Sequence, residues 1–561
     1  MSQFEKLTIL VSKVFERKFQ MKMQMKPLKW FAIGPVLLVL AFFGIVKICC
    51  GDVNDFDIII RGGQIVDGTG SEAYKADIGI KDGRIAEIGK LLQAGKSGRI
   101  INAEAMIVAP GFIDMHTHTD RQILKSPSVE NYIRQGVTTV VGGNCGNSTY
   151  PVGEFLKKVD DKGTALNFAL LVGHGAIRKE VLGKENRKPT AEELSEMKKM
   201  TAQAMLDGAV GISTGLTYVP GTYSKTDELV ELAKVAAGYG GFYASHIRSE
   251  SLRLIEAVEE AIEIGRRANI SIQMSHHKVA GVKLWGKSVK TLELVDDAVK
   301  EGIDVMLDQY PYTRSSTGLS IMFPAWSREG GKLKQRLEDA ELRGKIKKAI
   351  VKRFMDIYDS GCGDGPSKIL ISSCSTEPNI VGKNIEQITR MRGKEPTLEN
   401  AAETIMDIQT KGGASAIYHS MSDEDVERIM KHPRVMHASD GSAVTLGRAK
   451  PHPRNYGTFP RVLARYVREK KVISLPEAIR KMTSLPAQRL KLKERGTIKA
   501  GMFADIVIFN PKTVTDKGTW ENPHQYPEGI PYVLVNGEPV IDDNKRTGLF
   551  PGTVIYGPGK K

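Results

Sequence analysis

Cysteine is scarce in this chain, and its glycines follow no strict repeat. Five cysteines among 561 residues are too few for a scaffold held together by disulfide bonds. The 56 glycines show no three-residue period, which excludes a collagen-like fibre. Apolar residues make up 41% and charged residues 26%, as in an average soluble protein, so long disordered regions are not expected. A chain of this length predicts two or more domains.

Nucleic acids and nucleotides are not expected as partners. Lys and Arg outnumber Asp and Glu by 15, but the charges are scattered and no aromatic nucleic-acid-binding motif accompanies them. Residues 281–288, GVKLWGKS, formally match a phosphate-binding loop. In such a loop a strand runs directly into small residues whose N–H groups surround the phosphates. Here HHKVA intervenes and the loop interior is bulky, so we expect no phosphate binding there.

The N-terminal region contains a long apolar run. Residues 30–46, WFAIGPVLLVLAFFGIV, carry no charge and follow a segment with seven Lys or Arg. This combination is typical of a signal peptide, or of a transmembrane helix with a cytoplasmic N-terminus. Cys49 and Cys50 directly after the run are candidates for a lipid anchor. We therefore expect residues 1–52 to be a signal or anchor segment and the remainder to be exported, either membrane-anchored or in the periplasm or cell envelope.

Two β-rich stretches flank the rest of the chain, at residues 53–110 and 486–561. The first contains FDIIIRGGQIVDGTG and ADIGIKDGRIAEIG, and the second contains ADIVIF and YVLVNGEPVIDD. Alternating or β-branched apolar residues in these segments are interrupted by GG, DG and NG, which are hairpin signals.

Between them, residues 111–485 alternate short apolar strands with amphipathic helices. Eight strands are predicted, at residues 111–116, 137–143, 167–175, 209–216, 241–247, 271–276, 304–310 and 434–440. Eight strand–helix units predict an α/β fold with a closed (β/α)8 barrel. The interval at about 325–430 is too long for one helix, and we expect an inserted subdomain there, before the eighth strand.

Metal-binding side chains recur at the ends of these strands. His116 and His118 end the first strand, and alternation places both imidazoles on one face. Four further candidates end or follow other strands: Cys145, His246, His276 and Asp440. Active sites of such barrels lie at the C-terminal ends of the strands, and imidazole, thiolate and carboxylate ligands suit Zn²⁺. The six residues together predict an open, catalytic zinc site, while His277 is expected to point away from it.

These segments resemble a known family. GFIDMHTHTD, GGNCGNS, GISTGLTYVPGTYS, ASHIRSE, QMSHHKVAG and ASDGS are similar to the N-acyl-D-amino-acid deacylases, or D-aminoacylases, of the amidohydrolase superfamily. The resemblance covers about residues 55–560. It implies a TIM-like, zinc-dependent hydrolase barrel, a small β-sandwich built from both chain ends, and hydrolysis of the amide bond of N-acyl-D-amino acids.

One difference from the wider superfamily concerns the metal ligands. Many members with two metals bridge them with a carboxylated lysine on the fourth strand, but AVGISTGL has no lysine. The resemblance implies that a tight zinc is held by Cys145, His246 and His276, and that the other three ligands line a second, weaker position. Two alternatives stay open: a cyclic-amide hydrolase similar to dihydroorotase or hydantoinase, which usually carries that lysine, and a catalytically idle zinc-binding envelope protein.

The predicted mechanism assigns proton transfer to Asp440. Zinc lowers the pKa of bound water to about 7 and polarises the amide carbonyl. Asp440 is the only carboxylate among the six ligands and is predicted to act first as general base and then as general acid. The substrate, a small N-acyl amino acid, carries an α-carboxylate that needs cations or hydroxyls. Five residues near strand ends are candidates for this contact: Lys278, Tyr218, Tyr312, Arg314 and Arg454.

Deletion of residues 1–52 should give a soluble, folded protein, because no predicted barrel or sandwich strand is removed. The full chain should fractionate with membranes or be exported, whereas the deletion variant should stay in the cytoplasm. Cell fractionation with immunodetection measures both. Recovery of all the full-length protein in the soluble cytoplasmic fraction would contradict the export prediction.

Overall fold

The computed structural model describes residues 55–91, 98–447 and 449–561. The predicted signal or anchor segment at residues 1–52 lies outside these ranges, so export and membrane attachment stay predictions. Within the described ranges, no helix combines the length and the apolar character that a membrane span requires.

The first five strands form one half of a mixed sheet. They are β1 (Ile58–Ile65), β2 (Tyr74–Lys81), β3 (Arg84–Gly89), β4 (Arg99–Asn102) and β5 (Ile107–Pro110). β1 pairs antiparallel with β2 and parallel with β4 and β5. A bulge between Ile60 and Gly63 shifts the alternation along β1, so that Ile58, Ile60 and Ile65 all enter the same small core.

A series of short parallel strands follows. They are β6 (Phe112–Asp114), β7 (Val137–Gly142), β8 (Asn167–Leu170), β9 (Val172–Gly173), β10 (Gly211–Gly215), β11 (Phe242–His246), β12 (Ile272–Met274) and β13 (Val305–Gln309). Only Leu171 separates β8 from β9, and the two together form the third barrel strand. Every residue of these strands is buried, as expected when helices cover a parallel sheet.

An inserted unit separates β13 from the last barrel strand. Its antiparallel sheet contains β14 (Arg314–Gly318), β15 (Ile369–Ser373) and β16 (Ser415–His419), with β16 in the middle. The unit has a core of its own, which includes Leu319, Phe354 and Ile405. The insertion that we predicted at about 325–430 falls in this region, and β14 precedes it. The predicted domain limits stay predictions.

The last barrel strand closes the ring. β17 (Val435–His437) pairs in parallel with β13 on one side. On the other side, a parallel bridge joins Thr117 to Gly441, just beyond the ends of β6 and β17. The predicted α/β fold with a parallel barrel is therefore confirmed.

The C-terminal strands complete the mixed sheet. They are β18 (Ile506–Phe509), β19 (Tyr532–Val535), β20 (Glu538–Asp542) and β21 (Lys545–Arg546). β18 pairs antiparallel with β5, so that strands from both chain ends form one nine-stranded sheet. This agrees with the prediction that both ends build the accessory β-structure.

Helices connect the barrel strands and cover the insertion. In the barrel they are α1 (Glu130–Ile133), α2 (Val152–Lys162), α3 (His174–Leu182), α4 (Ala191–Asp207), α5 (Thr226–Gly238), α6 (Leu254–Ala268) and α7 (Ser288–Lys300). The insertion contributes α8 (Leu333–Glu338), α9 (Ala340–Arg353), α10 (Ile385–Met391) and α11 (Leu398–Thr410). The remainder are α12 (Asp423–Lys431), α13 (Arg454–Arg461), α14 (Leu475–Met482) and α15 (Ser484–Arg489). Amphipathic spacing explains their packing: in α6, Leu254, Val258 and Ala261 lie on one buried stripe.

Candidate metal centre

The six predicted metal ligands converge at the C-terminal ends of the barrel strands. His246 is the last residue of β11, and the other five lie within four residues of a strand end: His116, His118, Cys145, His276 and Asp440. The backbone turns sharply where three of them stand, with φ of 56° at Cys145, 36° at His276 and 49° at Asp440. Non-glycine residues seldom adopt this left-handed conformation, and such strain concentrates at functional sites.

Cys145 lies at the centre of the first group of ligands. Its Sγ is 3.7 Å from His246 Nδ1 and 3.5 Å from His276 Nε2. A tetrahedral zinc with bonds of about 2.3 Å to sulfur and 2.05 Å to nitrogen separates those atoms by about 3.6 Å. Both sulfur–nitrogen separations therefore suit a zinc ion. The three ligand atoms lie within 4.8 Å of one another, and all three side chains are buried.

Asp440 lies at the centre of the second group. Its Oδ1 is 3.2 Å from His118 Nε2 and 3.5 Å from His116 Nε2. His116 Nε2 is also 3.4 Å from Cys145 Sγ, so the two groups share an edge. One thiol proton cannot satisfy the several imidazole nitrogens around Cys145, whereas a metal ion satisfies all of them, so the donor set fits a metal.

The charges of the ligands are mutually dependent. Burial would raise the pKa of the Cys145 thiol, but the positive potential of His116 and His276 outweighs it and holds that pKa well below its usual value. Burial would also raise the pKa of the Asp440 carboxyl, but Arg454, at 2.8 Å, and the nearby imidazoles hold it well below its usual value. Both groups are therefore anions, the form that binds a cation.

Asp308 orients two of the ligands, and the sequence analysis missed it. Its Oδ1 accepts hydrogen bonds from His276 N at 2.7 Å and from His116 Nδ1 at 3.1 Å. The second bond directs His116 Nε2 toward the ligand group, which is how a carboxylate fixes the tautomer of a metal-binding histidine. Gln273 Nε2 donates to Asp308 Oδ2 at 2.6 Å and keeps the carboxylate in place. The sequence signal was an aspartate directly after the apolar residues Val305, Met306 and Leu307 of a predicted buried strand.

Glu250 is a second residue that the sequence analysis missed. It forms a short ion pair with Lys278 and lies 2.9 Å from His276 Nδ1. Lys278 Nζ is itself 2.8 Å from the same imidazole nitrogen. Burial would raise the pKa of Glu250, but Lys278 and His276 lower it, so the carboxylate stays ionised. Lys278 thus lies beside the candidate ligands, where its ammonium group is paired with the Glu250 carboxylate.

A cavity of about 440 Å³ opens above the ligands. Barrel residues form its floor, and Ser315, Ser316 and Thr317 of β14 form part of its wall. Tyr218 lines it as well, with its hydroxyl 3.1 Å from Thr317 Oγ1. The insertion also contributes two guanidinium groups that the sequence analysis missed, Arg328 and Arg353.

The remaining predicted substrate contacts lie elsewhere. Arg454 contacts the centre only through Asp440. Arg314 stacks over Trp520, with 4.4 Å between the guanidinium carbon and the ring centre, and lines a separate cavity. Tyr312 packs edge-on against His452 and Trp520, outside the catalytic cavity. Both residues follow the seventh strand, but their side chains pack against aromatic rings and do not line the catalytic cavity.

The structure also shows where His277 and the loop-like segment 281–288 lie. His277 points away from the ligands, as predicted, and its Nε2 is 2.9 Å from Thr291 Oγ1. In residues 281–288, Gly286 N donates to Asp425 at 2.9 Å, and the Ser288 hydroxyl donates to the same carboxylate. An internal carboxylate thus occupies the donors that a phosphate would need.

Replacing the central thiolate should release the metal. We expect Cys145→Ser to bind zinc about 10–100-fold more weakly, because a neutral hydroxyl replaces the anionic ligand. Equilibrium dialysis followed by elemental analysis measures the affinity. Cys374→Ser is the matched control, because Cys374 is also buried but lies in the core of the insertion. Equal zinc affinity in both variants would remove Cys145 from the ligand set.

Comparison with known proteins shows the family to which the chain is similar. Residues 99–344 and 372–541 match the model of the amidohydrolase family. The D-aminoacylase of Alcaligenes xylosoxydans xylosoxydans is 35% identical over 527 residues, which cover 90% of this chain and 98% of that protein.

Two solved structures are similar over nearly their whole length. N-acyl-D-glutamate deacylase from Bordetella bronchiseptica, complexed with zinc and a phosphonate mimic of the tetrahedral intermediate, gives a TM-score of 0.77 at 35% identity, covering 90% of this chain and 100% of that one. A D-aminoacylase with a binuclear metal centre gives a TM-score of 0.76 at 34% identity, covering 89% and 99%. The chain therefore belongs to the amidohydrolase family, as a metal-dependent amidohydrolase similar to the D-aminoacylases.

Proposed function

We propose that this protein hydrolyses the amide bond of N-acyl-D-amino acids, releasing a carboxylate and a free D-amino acid. The observation that carries the proposal is the open ligand set, in which the Asp440 carboxylate lies beside the Cys145 group and lines the 440 Å³ cavity. A structural zinc site is closed by four ligands and has no spare carboxylate facing a cavity. The activities named for the two deacylases described above support the same reaction.

Zn²⁺ is the metal that this donor set suits best. Cys145, His246 and His276 would hold the tight ion, and His116, His118 and Asp440 would line a second, weaker position. The binuclear centre of the related D-aminoacylase supports two positions. When bound, zinc supplies a Lewis acid that polarises the amide carbonyl and favours ionisation of the attacking water.

Asp440 moves the proton in the proposed reaction. Its Oδ1 faces the histidines, and Arg454 holds its Oδ2 at 2.8 Å, so the carboxylate has a fixed direction. It accepts a proton from the attacking water and returns it to the nitrogen of the departing amine. Arg454 thereby acts as a positioning residue and not as a substrate contact.

The α-carboxylate of the substrate would bind near Lys278 and Tyr218. Both line the cavity close to the ligands: Lys278 Nζ is 2.8 Å from His276 Nδ1, and the Tyr218 ring centre is 4.8 Å from that of His246. The partner of Lys278 is Glu250, so the ammonium group is shared between that carboxylate and the substrate.

Two guanidinium groups favour an acidic amino-acid side chain. Arg328 and Arg353 line the cavity, and the Nε atom of each is buried without a hydrogen-bond partner. Among the described residues, neither forms an ion pair with a carboxylate. Asp356 also lines the cavity, but it is paired with Lys352 at 3.0 Å. Both guanidinium groups therefore have an N–H donor free for an anionic ligand. We infer a preference for N-acyl-D-glutamate or N-acyl-D-aspartate.

The zinc-loaded protein should release amine from N-acetyl-D-amino acids and not from their L-enantiomers. Among D-substrates, kcat/KM should be higher for glutamate than for leucine. Arg328→Met should lower kcat/KM for the D-glutamate substrate by about 10–100-fold and leave the leucine substrate nearly unchanged, because one charged hydrogen bond is lost. Chiral chromatography of the released amino acids measures both.

Arg390→Met is the control for that comparison, since Arg390 is an exposed arginine of the insertion outside the cavity. No amine release from any D-substrate would reject the deacylase proposal. An unchanged glutamate-to-leucine ratio in Arg328→Met would reject only the acidic preference. Opening of hydantoin or dihydroorotate rings in place of deacylation would favour the cyclic-amide alternative, and inactivity on all of them would favour an idle zinc-binding protein.

Asp440→Asn should lower kcat by at least about 100-fold, because general acid–base assistance is worth roughly 10²–10⁴ in rate. The tight zinc should remain, since its three ligands are untouched. The acidic limb of the pH–rate profile should disappear as well, because it reports a base that must be deprotonated. Stopped-flow or steady-state kinetics with parallel zinc analysis tests these expectations.

The same variant separates two roles of Asp440. Activity restored by excess zinc would indicate that Asp440 acts mainly as a ligand of a second essential metal. Persistent inactivity with one zinc bound would indicate the proton carrier. A variant with near wild-type kcat would exclude both roles.

We also propose that the protein works outside the cytoplasm, anchored to a membrane or in the periplasm or cell envelope. The support for this location is the uncharged run at residues 30–46 behind a basic flank.

A further inference from the structure

A second cavity, of about 240 Å³, lies apart from the metal centre. It shares none of its lining residues with the catalytic cavity. Its lining is mostly polar and comes from the insertion, from the segment after β17, and from the C-terminal region: Arg314, Ser367, Lys368, Leu370, Gly382, Asn384, His419, Lys450, Trp520 and Glu521.

The cavity has an excess of positive charge. Arg314, Lys368 and Lys450 line it, and Glu521 is the only carboxylate among the lining residues. Lys368 shares its charge with Asp364, at 3.1 Å. Within the part of the chain that the structure describes, Arg314 and Lys450 form no ion pair. Two half-buried cations without ion-pair partners on one lining repel each other, and an anion between them would relieve that repulsion.

The cations are held in position by packing. The guanidinium carbon of Arg314 lies 4.4 Å from the centre of the Trp520 ring, which fixes its plane while leaving its N–H groups for a ligand. Lys450 is anchored through its backbone, since its N–H donates to Ser372 O at 2.9 Å. The side-chain amide of Asn384 adds an uncharged donor to the same lining, while the Ser367 hydroxyl donates to Asp364 O at 2.7 Å.

We propose that this cavity binds a small multivalent oxyanion, either a phosphate or a dicarboxylate, between Arg314, Lys368 and Lys450. Oxygen atoms of such an anion accept charged hydrogen bonds from all three, which a monovalent anion cannot do to the same extent. The site is distinct from the deacylation centre, and its existence does not depend on that reaction.

The bound anion would join segments that also shape the catalytic cavity. Arg314 directly precedes Ser315–Thr317, which line that cavity. Lys450 lies in the segment between Asp440 and Arg454. A ligand that contacts both segments binds only when the insertion is in place over the barrel, so it stabilises the native arrangement by mass action.

Fluorescence of Trp520 provides a direct test. Inorganic phosphate, succinate, acetate and chloride are titrated at constant ionic strength into the zinc-loaded full chain, and the same titrations are repeated on Trp520→Phe to isolate the signal of that ring. Phosphate or succinate should give a saturable change that Trp520→Phe lacks. The more tightly bound of the two identifies the anion class.

Lys368→Met with Lys450→Met should weaken this binding by about tenfold or more, since two charged hydrogen bonds are lost. If the double variant unfolds, Lys450→Met alone is used in its place. It should also weaken anion binding, but by a smaller factor. Lys394→Met, an exposed lysine of the insertion outside the cavity, is the matched control and should bind like the unmodified protein. The proposal is overturned if neither multivalent anion changes the Trp520 signal, if chloride or acetate binds as tightly, or if the lysine variants keep full affinity.

Discussion

The hydrogen bonds that close the ring of parallel strands hold the candidate metal ligands together. Asp440 N donates to His116 O at 2.8 Å, and His118 N donates to Gly441 O at 2.7 Å. Ser439 N donates to the buried Asp114 carboxylate at 3.0 Å. These bonds join the residues after the first strand to those after the last, although more than 300 positions separate them in the sequence. Without closure, His116 and His118 would not lie beside Asp440.

The second constraint is electrostatic. Cys145, Asp308, Glu250 and Asp440 bring several negative charges into a buried region, and such charges are costly unless cations compensate them. Arg454 pairs with Asp440 and Lys278 with Glu250, so each carboxylate that faces the cavity has a partner within the protein. In the described part of the chain, the hydrogen-bonding atoms nearest the thiolate sulfur are imidazole nitrogens, and a metal ion would be its counter-charge. The protein chain thus supplies the shape of the centre, and a bound metal ion would supply the positive charge that it lacks.

The sequence predicted the strand order, and it predicted six candidate ligands that the fold brings together, because both depend on local rules. Buried parallel strands are short apolar runs, and ligand types at strand ends are readable one residue at a time. Asp308 and Glu250 were missed because their roles depend on which distant side chains they meet after folding. Arg314 and Tyr312 were expected near the substrate because they follow a strand end, but the aromatic packing around Trp520 places them elsewhere. Arg328 and Arg353 lie in an insertion whose contacts with the barrel no local pattern reveals.

We propose that one thiolate and two imidazoles hold the catalytic zinc. X-ray absorption at the zinc edge, on protein loaded with one equivalent of zinc, tests this most directly. We predict one sulfur neighbour at about 2.3 Å, with nitrogen or oxygen neighbours at about 2.0–2.1 Å. A spectrum with no sulfur neighbour, or with two or more, would contradict the assignment of Cys145, His246 and His276 as the ligands of the tight site.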